Sequence, residues 1–539
     1  MAIWKSSHIS SLALTAVLSA GLVLGGCSKK DETKSMDGGV AASAIDNALS
    51  VDARTVSDSE AEAALKALSL FTSGEGMASW EKRDGDKGSY VFTGLKFAPA
   101  DGDTPVTVDR LELTGAHMNG DDVAFDKISL SGVSATDGDD SVITFDKVSI
   151  VGPSQQLASA IALGLNGEDP QDHDLEGSLT FDALNFVGAA VASDDVNMSI
   201  GSLFAGKTSE SDDAKGGVSL KSLAITSNEG KPMSISLGSV DIVDLNLKKY
   251  GPLFAAALNE QGSDNGEAIS LELMRQMQSM NMYDPDFKSM SIKDFDADIE
   301  AVTVDFDSIT STLEEKGDLI ISEQRMTPMT ITPSDDSENM SAVRFKEALS
   351  SMNYESLVFT SYQKATMNKV TDSMKLDEGY VDMKDGFRLS LDMDATGMNA
   401  YQKSILAAAS DESYNPNNPD AIMGALDNLD INHMGFHLED KSIIDRAFAF
   451  AALQQGGSAD TLKTQAKAGL GMLAFMAQDE AQTAFFGELG TALTAFIDNG
   501  GTLSFEMKPS EDFKFSEIAS AAQSGQFDIE AMGLSVTHK

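Results

Sequence analysis

VAFDKISLSG (residues 123–132) is followed, after one short loop, by ITFDKVSIVG (residues 143–152). Each copy sets apolar residues at positions i, i+2, i+5 and i+7, with Asp-Lys at its centre. On a helix those four positions scatter around the axis and make no stripe. On an unbroken strand the first two face one side and the last two the other. A one-residue irregularity at the Asp-Lys step returns all four to one side, as a β-bulge does, and bends the strand. The competing reading is a tight two-residue hairpin, but such turns favour Asn-Gly or glycine-rich pairs, for which Asp-Lys is a poor substitute. The spacing predicts bent strands with one oily face.

The same spacing opens at Tyr90, Val106, Leu179, Met198, Val218, Ile235 and Met290, at intervals close to multiples of about eighteen residues. A fixed period marks repeated supersecondary units. Turn-forming stretches such as HMNGDD (117–122) and ATDGDD (135–140) separate the copies, so neighbouring strands should pair antiparallel. Helical patterns interrupt the period at 154–166, after Pro153, and at 251–282. Another precedes it at 57–71, where Ser57 and Glu60 form a capping box ahead of Ala64, Leu65 and Leu68. Helices threaded into a one-faced sheet cover its apolar side.

The second half is a looser version of the first. A helix is expected at 345–354 and a hairpin over 380–393 with its turn at Lys384-Asp385-Gly386. Leu429, Ile431, Met434 and Phe436 repeat the bent-strand spacing. From 442 to about 497 the chain reads as helical, with stripes at Leu462, Ala466, Leu470, Leu473 and at Phe485, Leu489, Leu493, Phe496. A strand at 502–509 follows, and the stretch from Phe527 to Leu534 fits either strand or helix. The fold class expected is α+β and β-dominated: a long antiparallel meander of bent strands forming a curved sheet, covered in part by inserted helices, with a helical C-terminal segment. The expected divisions are a signal segment (1–26), a flexible tether (27–55), a repeat β-meander (56–310), a second β-rich region with a helix (311–440) and a helical segment with a closing strand (441–539).

The N-terminus sets the compartment. A polar start, MAIWKSSH, precedes the apolar run SLALTAVLSAGLVLG, which is too short to span a bilayer and reads as an export signal. Leu24-Gly25-Gly26-Cys27 then resembles the lipobox of bacterial lipoproteins. That resemblance implies lipidation of Cys27 and anchoring in the cell envelope. Ser28 and Lys29 lack the aspartate of the inner-membrane retention rule, which implies the outer membrane. Cys27 is the only cysteine of the 539 residues, so no internal disulfide is available. The balance of 84 acidic to 39 basic residues gives a net charge of −45, which repels nucleic acid and anionic headgroups.

No nucleophile elbow, zinc-protease motif, phosphate loop or dinucleotide fingerprint occurs, so no catalytic residue and no cofactor is expected. His433 and His437 are four apart, a ligand spacing on helices. In a strand they stand about 13 Å apart, too far to share one metal, and no metal site is expected. The aspartate-rich stretches DGDD (138–141) and DESYNPNNPD (411–420) lack the spacing of a calcium loop. Repeats of the type ITFDKVSI resemble those of the AsmA-type and YdgA-type β-rich envelope families over about residues 90–310. The resemblance implies a role in outer-membrane upkeep, although those families are usually held by a membrane-spanning helix rather than a lipid. Two functions follow as expectations. In the first, Phe125, Ile128, Phe145, Val148, Phe181 and Leu184 line an open groove for a lipid or another hydrophobic ligand, with Met274, Met277, Met280 and Met282 on an adaptable helix. In the second, the helices close the core, and loops or sheet edges recruit envelope proteins.

Overall fold

The computed structural model describes residues 39–98, 105–136, 141–168, 173, 180–208, 215–227, 233–247, 286–335, 339–409, 427–472, 477, 479–509, 513–514 and 528–539. The signal segment, Cys27, Leu179, the helix expected at 251–282 with its four methionines, DESYNPNNPD and Leu473 lie outside the described residues. The chain divides into two compact units, with the described residues up to Phe295 in unit 1 and those from Asp296 in unit 2. Both units are β-dominated antiparallel meanders carrying helices.

In unit 1 the short strands β1 (Ala78–Ser79) and β2 (Lys82–Asp86) both pair with β3 (Ser89–Phe97). The meander continues through β4 (Val106–Thr114). A separate small hairpin of β5 (His117–Asn119) and β6 (Asp122–Ala124) follows. The ladder then runs through β7 (Lys127–Thr136), β8 (Val142–Val151), β9 (Ala183–Ala192), β10 (Val196–Lys207), β11 (Lys215–Ser227) and β12 (Met233–Asn246). β13 (Ser289–Ile299) spans the division between the units.

Every strand of this ladder changes the side of its side chains at one common row. On β7 the change occurs at Gly132, whose φ of 62° lies in the left-handed region. Beyond it the alternation reverses, so Ile128 and Val133 belong to the same core. The neighbouring strands make the same change opposite, at Asp109 on β4 and Asp146 on β8. Their flanking pairs Arg110↔Ser131, Val108↔Val133, Ser131↔Lys147 and Val133↔Phe145 keep one constant register. The row continues across the sheet as Gly94, Asp109, Gly132, Asp146, Gly188, Gly201, Ser222 and Gly238. Positive φ recurs on alternate strands, at Gly94, Gly132, Gly188 and Ser222. The expected irregularity is therefore present, but its form differs from a bulge. No extra residue is inserted, because all strands kink together.

The aspartates of the row fill the space that the glycines leave. A Cβ at Gly132 would overlap the Asp109 carboxylate, and one at Gly188 would overlap that of Asp146. Gly132→Ala should cost about 2 kcal/mol, combining left-handed strain with displacement of Asp109. Urea unfolding of the variant checks this, and an unchanged midpoint would contradict it.

Two expected copies are out of frame. Val123 lies in β6, Phe125 and Asp126 form a link, and β7 begins at Lys127, so the Asp126-Lys127 step is an entry to a strand. Phe181 likewise precedes β9. The kinks of these strands fall five residues later than the reading placed them, at Gly132 and Gly188. Asp126 and Asp182 nonetheless do what Asp146 does: their carboxylates lie against Gly115 and Gly152, with φ of 69° and 55°.

Helices cover both faces of unit 1. On the face with the oily residues lie α2 (Asp58–Ala67), capped by Ser57 accepting from Glu60 N–H at 3.3 Å, and α3 (Gln155–Asn166), capped by Ser154. They close a core with Leu65, Leu68, Phe92 and Leu111, and Trp80 meets Phe92 edge-on at 5.2 Å. The opposite face carries α1 (Ala42–Leu49). Ile45, Ala48, Leu49 and Val51 pack there on Val151, Ala183 and Phe204. Lys127 Nζ donates to the Leu49 carbonyl at 2.6 Å, and Val40 N–H donates to Asp241 Oδ1 at 3.4 Å. Residues 40–51, expected as flexible tether, are thus part of the fold. The small, weakly patterned helix ASAIDNAL hides this in the sequence, because its partners lie on strands far along the chain.

Unit 2 runs antiparallel through β14 (Val302–Lys316), β15 (Leu319–Pro333), β16 (Leu357–Asn368), β17 (Ser373–Met383) and β18 (Phe387–Thr396). It continues into β19 (Asp430–Asp440) and β20 (Gly501–Met507), with β21 (Phe513–Lys514) on β19 and β22 (Leu534–His538) on β20. Inserted residues occur elsewhere: the register slips by one at Asp244 on β12 of unit 1, and in unit 2 at Asp377 on β17 and at Asn432 on β19. Six helices accompany the strands among the described residues: α4 (Met340–Ser351), α5 (Met398–Ala409), α6 (Ile443–Gln455), α7 (Ala459–Leu470), α8 (Glu480–Asn499) and the single turn α9 (Ile529–Met532).

These helices bury three separate apolar clusters on one face of the unit 2 sheet. Leu349 and Tyr354, at and after the end of α4, pack with Met383. Ala492 and Phe496 of α8 pack on Leu503 and Val536, with Phe485, Leu489 and Leu493 of the expected stripe alongside. Met398 of α5 and Met532 of α9 pack on Ala395, Ile431 and Met507. The stripe expected at Leu462, Ala466 and Leu470 behaves differently, since no residue of α7 is buried. The turn expected at Lys384-Asp385-Gly386 joins β17 to β18, with Asp385 at a φ of 55°.

Candidate functional site

The residues expected to line a groove in unit 1 are mostly core. Phe125 and Ile128 are 3% and 7% exposed and pack in the cluster closed by α2 and α3. Phe145 is partly buried against the same cluster, and its ring meets that of Phe186 at 5.8 Å. Leu184 is buried, whereas Val148 and Phe181 are half-buried. Phe125 and Ile128 therefore line no open groove: the capped helices on either side of the first strands fill the space above them. Cys27 lies outside the described residues.

A cleft of about 500 Å³ does open in unit 1, between the α1 segment and the ends of the strands. Its lining carries Asp52, Arg54, Asp126, Asp182 and Lys207, and both cations sit beside carboxylates. Lys207 Nζ sits 2.7 Å from Asp182 Oδ1, and Arg54 reaches Asp126 at 3.8 Å and His117 Nε2 at 2.7 Å. A lining this rich in charge offers little to a hydrophobic ligand.

Unit 2 presents the opposite case. Leu391 on β18 and Phe436 on β19 stand directly across from one another, and they are 38% and 43% exposed. They lie on the face that the helices cover, between the clusters under α4, α8 and α5. The strip runs into a methionine-rich end, where Met398, Met507 and Met532 are buried and Met374, Met393 and Met434 pack against them. Thioether side chains adapt their shape to what they contact. Sequence reasoning included Phe436 in a bent strand but did not single out Leu391, whose partner becomes visible only once the β18–β19 register is known.

The other face of the same strands carries a hydrogen-bonded chain. Asp392 receives His433 Nδ1 on one carboxylate oxygen at 3.1 Å and His437 Nε2 on the other at 2.9 Å. His437 Nδ1 lies 2.9 Å from Ser504 Oγ. An ionised carboxylate only accepts, so the facing nitrogen of each ring carries the proton, and Ser504 donates to His437 Nδ1. The two histidines share a hydrogen-bond partner: Gly435 lies opposite Asp392, which places the carboxylate between its two neighbours. Among the described residues no group of three His, Cys, Asp or Glu side chains is arranged to hold a metal ion.

Ser504, His437 and Asp392 have the connectivity of a nucleophilic triad but not its surroundings. Ser504 is 9% exposed, and its strand pairs on both sides, with β19 and β22. An oxyanion needs free donors converging beside the nucleophile, and a strand paired on both edges has few to offer. The chain of bonds ties three strands together and holds protons.

Residues 380–539 match a family model described as "Uncharacterized protein". The match begins in β17 and takes in the exposed apolar strip and the His–Asp–His chain. No curated protein matches the chain.

Proposed function

We propose that the chain is a lipid-anchored protein of the cell envelope, held through Cys27 at the outer membrane, whose second unit binds a hydrophobic chain such as a lipid acyl tail. Leu391 and Phe436 carry this proposal: two large apolar side chains paired in mid-sheet, left open between three helix-covered clusters. Exposed apolar strips of this kind mark sites of interaction. Unit 1, with its closed core, serves as the scaffold, and its loops and edges remain available to envelope partners. No catalytic step enters this function.

The test is chemical. Lipid extracted from the purified protein, expressed without residues 1–27, should contain co-purified acyl chains by mass spectrometry. The double variant Leu391→Asp, Phe436→Asp should lower the recovered lipid more than tenfold while keeping the wild-type circular dichroism. Wild-type protein free of lipid would instead favour the interaction role, with the strip covered by a protein partner.

A further inference from the structure

Methionine is spread unevenly over the cores of this chain. The large cluster under α2 and α3 holds one, Met118, and the cluster under α8 holds none. The cluster beneath α5 and α9 holds six among its eleven members: Met374, Met393, Met398, Met434, Met507 and Met532. Leucine and isoleucine specify a core better than methionine, whose flexible side chain serves as an occasional gap-filler. Six together ask for a reason other than packing.

The register places three of them in one row. Met393 on β18 stands directly across from Met434 on β19, and Met434 directly across from Met507 on β20. Leucines flank the row, Leu376 beside Met393 and Leu534 beside Met507. Leucine therefore fits this face of the sheet, and the thioethers occupy only its middle. β18 and β20 lie about 9.6 Å apart, two strand spacings. Unbranched side chains with three rotatable bonds can lean in from both sides, so that three sulfurs meet over the middle strand. Met398 and Met532, each 2% exposed, close the cluster from the helices. Met393 and Met434 stay half-buried, which leaves an ion a way in.

The donor set chooses the ion. Thioether sulfur is neutral and soft, and it selects Cu(I) over the harder cations that want carboxylate or imidazole. The imidazoles of His433 and His437 belong to the other face, where both are bound to Asp392. A net charge of −45 draws cations toward the chain. A monovalent ion is also less costly to take out of water than a divalent one.

We infer that Met393, Met434 and Met507 bind one Cu(I) ion, enclosed by Met398 and Met532. The site is separate from the lipid-binding role, which rests on Leu391 and Phe436, and it stands or falls without it. Thioethers have no proton to lose before they bind. Unlike a site built on histidine, cysteine or carboxylate, this one should keep its metal in mild acid.

The experiment uses the full chain carrying Cys27→Ser, which removes its one thiol. Cu(I) is offered without oxygen as its bicinchoninate complex, calibrated at about pH 8 and about pH 5, the ends of the range in which imidazoles titrate. Loss of the chelate's absorbance reads the transfer. One equivalent should transfer at both pH values, with only sulfur around the copper by X-ray absorption. Met393→Leu, Met434→Leu and Met507→Leu combined conserve volume. The triple variant should keep a urea midpoint near wild type and bind about a hundredfold more weakly, the upper end of what outer-shell changes alone cost. Met352→Leu with Met383→Leu, in the cluster under α4, should bind as wild type does. No transfer at either pH would overturn the site. So would transfer that the triple variant retains, or transfer that disappears at the lower pH with nitrogen found around the copper.

Discussion

Phe125→Asp is expected to unfold unit 1. Phe125 is 3% exposed in a core that includes Leu65, Phe92, Leu111 and Ala158, and it has no route to solvent past α2 and α3. An aspartate there must either bury an unpaired charge or take up a proton, and each course is costly. Added to the lost aromatic packing, the change should exceed about 4 kcal/mol, in the range that only a few named mechanisms reach. Hydrogen exchange over residues 56–166 reads the result directly, with protection lost from α2, α3 and the first strands together. A variant that kept this protection while losing bound lipid would mean that the face is open and Phe125 lines it. The same substitution thus separates a closed core from a groove, and the burial of Phe125 decides for the core.

The architecture was legible where the information is local. The i, i+2, i+5, i+7 spacing depends only on which side each residue faces, and it correctly gave one oily face across a kink. Ser57 and Glu60 announced α2 because a cap and its partner lie within one turn. The hairpin at Asp385 was likewise readable from neighbouring residues. What failed depends on partners far away in sequence. The frame at Val123 was misplaced because Asp126 and Asp146 look alike. Only the glycines they cover, Gly115 just past the end of β4 and Gly188 within β9, distinguish the entry to a strand from its middle. The difference between a shared kink and a true bulge is also invisible in one strand, since it lies in whether the neighbour kinks too. Asp392 escaped notice for the same reason: nothing in β19 reveals that a carboxylate from β18 stands between its two histidines.

Tyr380→Phe is expected to stabilise unit 2, and increasingly so in alkali. Tyr380 is 3% exposed, and its hydroxyl is buried without a hydrogen-bond partner. Arg388 stacks on the ring, 3.5 Å from its centroid, so the aromatic face has a cation to hold while the oxygen has nothing. Removing that oxygen relieves an unpaired polar group and should gain about 1 kcal/mol at neutral pH. Burial, the largest cause, pushes the hydroxyl up from 10.0 to about 12; Arg388 opposes it and Glu378 adds to it. A group whose folded value is raised contributes its full stability below the unfolded value, here about pH 10, and loses it as the pH climbs toward 12. The wild type should therefore shed roughly 2–3 kcal/mol over that interval through Tyr380. Tyr354 and Tyr362, also raised mainly by burial, steepen the fall in both proteins. Urea midpoints from neutral pH upward should show the two curves separating, with the phenylalanine variant always ahead. A variant less stable than wild type at neutral pH would mean that the hydroxyl has a partner in solution, one that the folded chain alone does not supply.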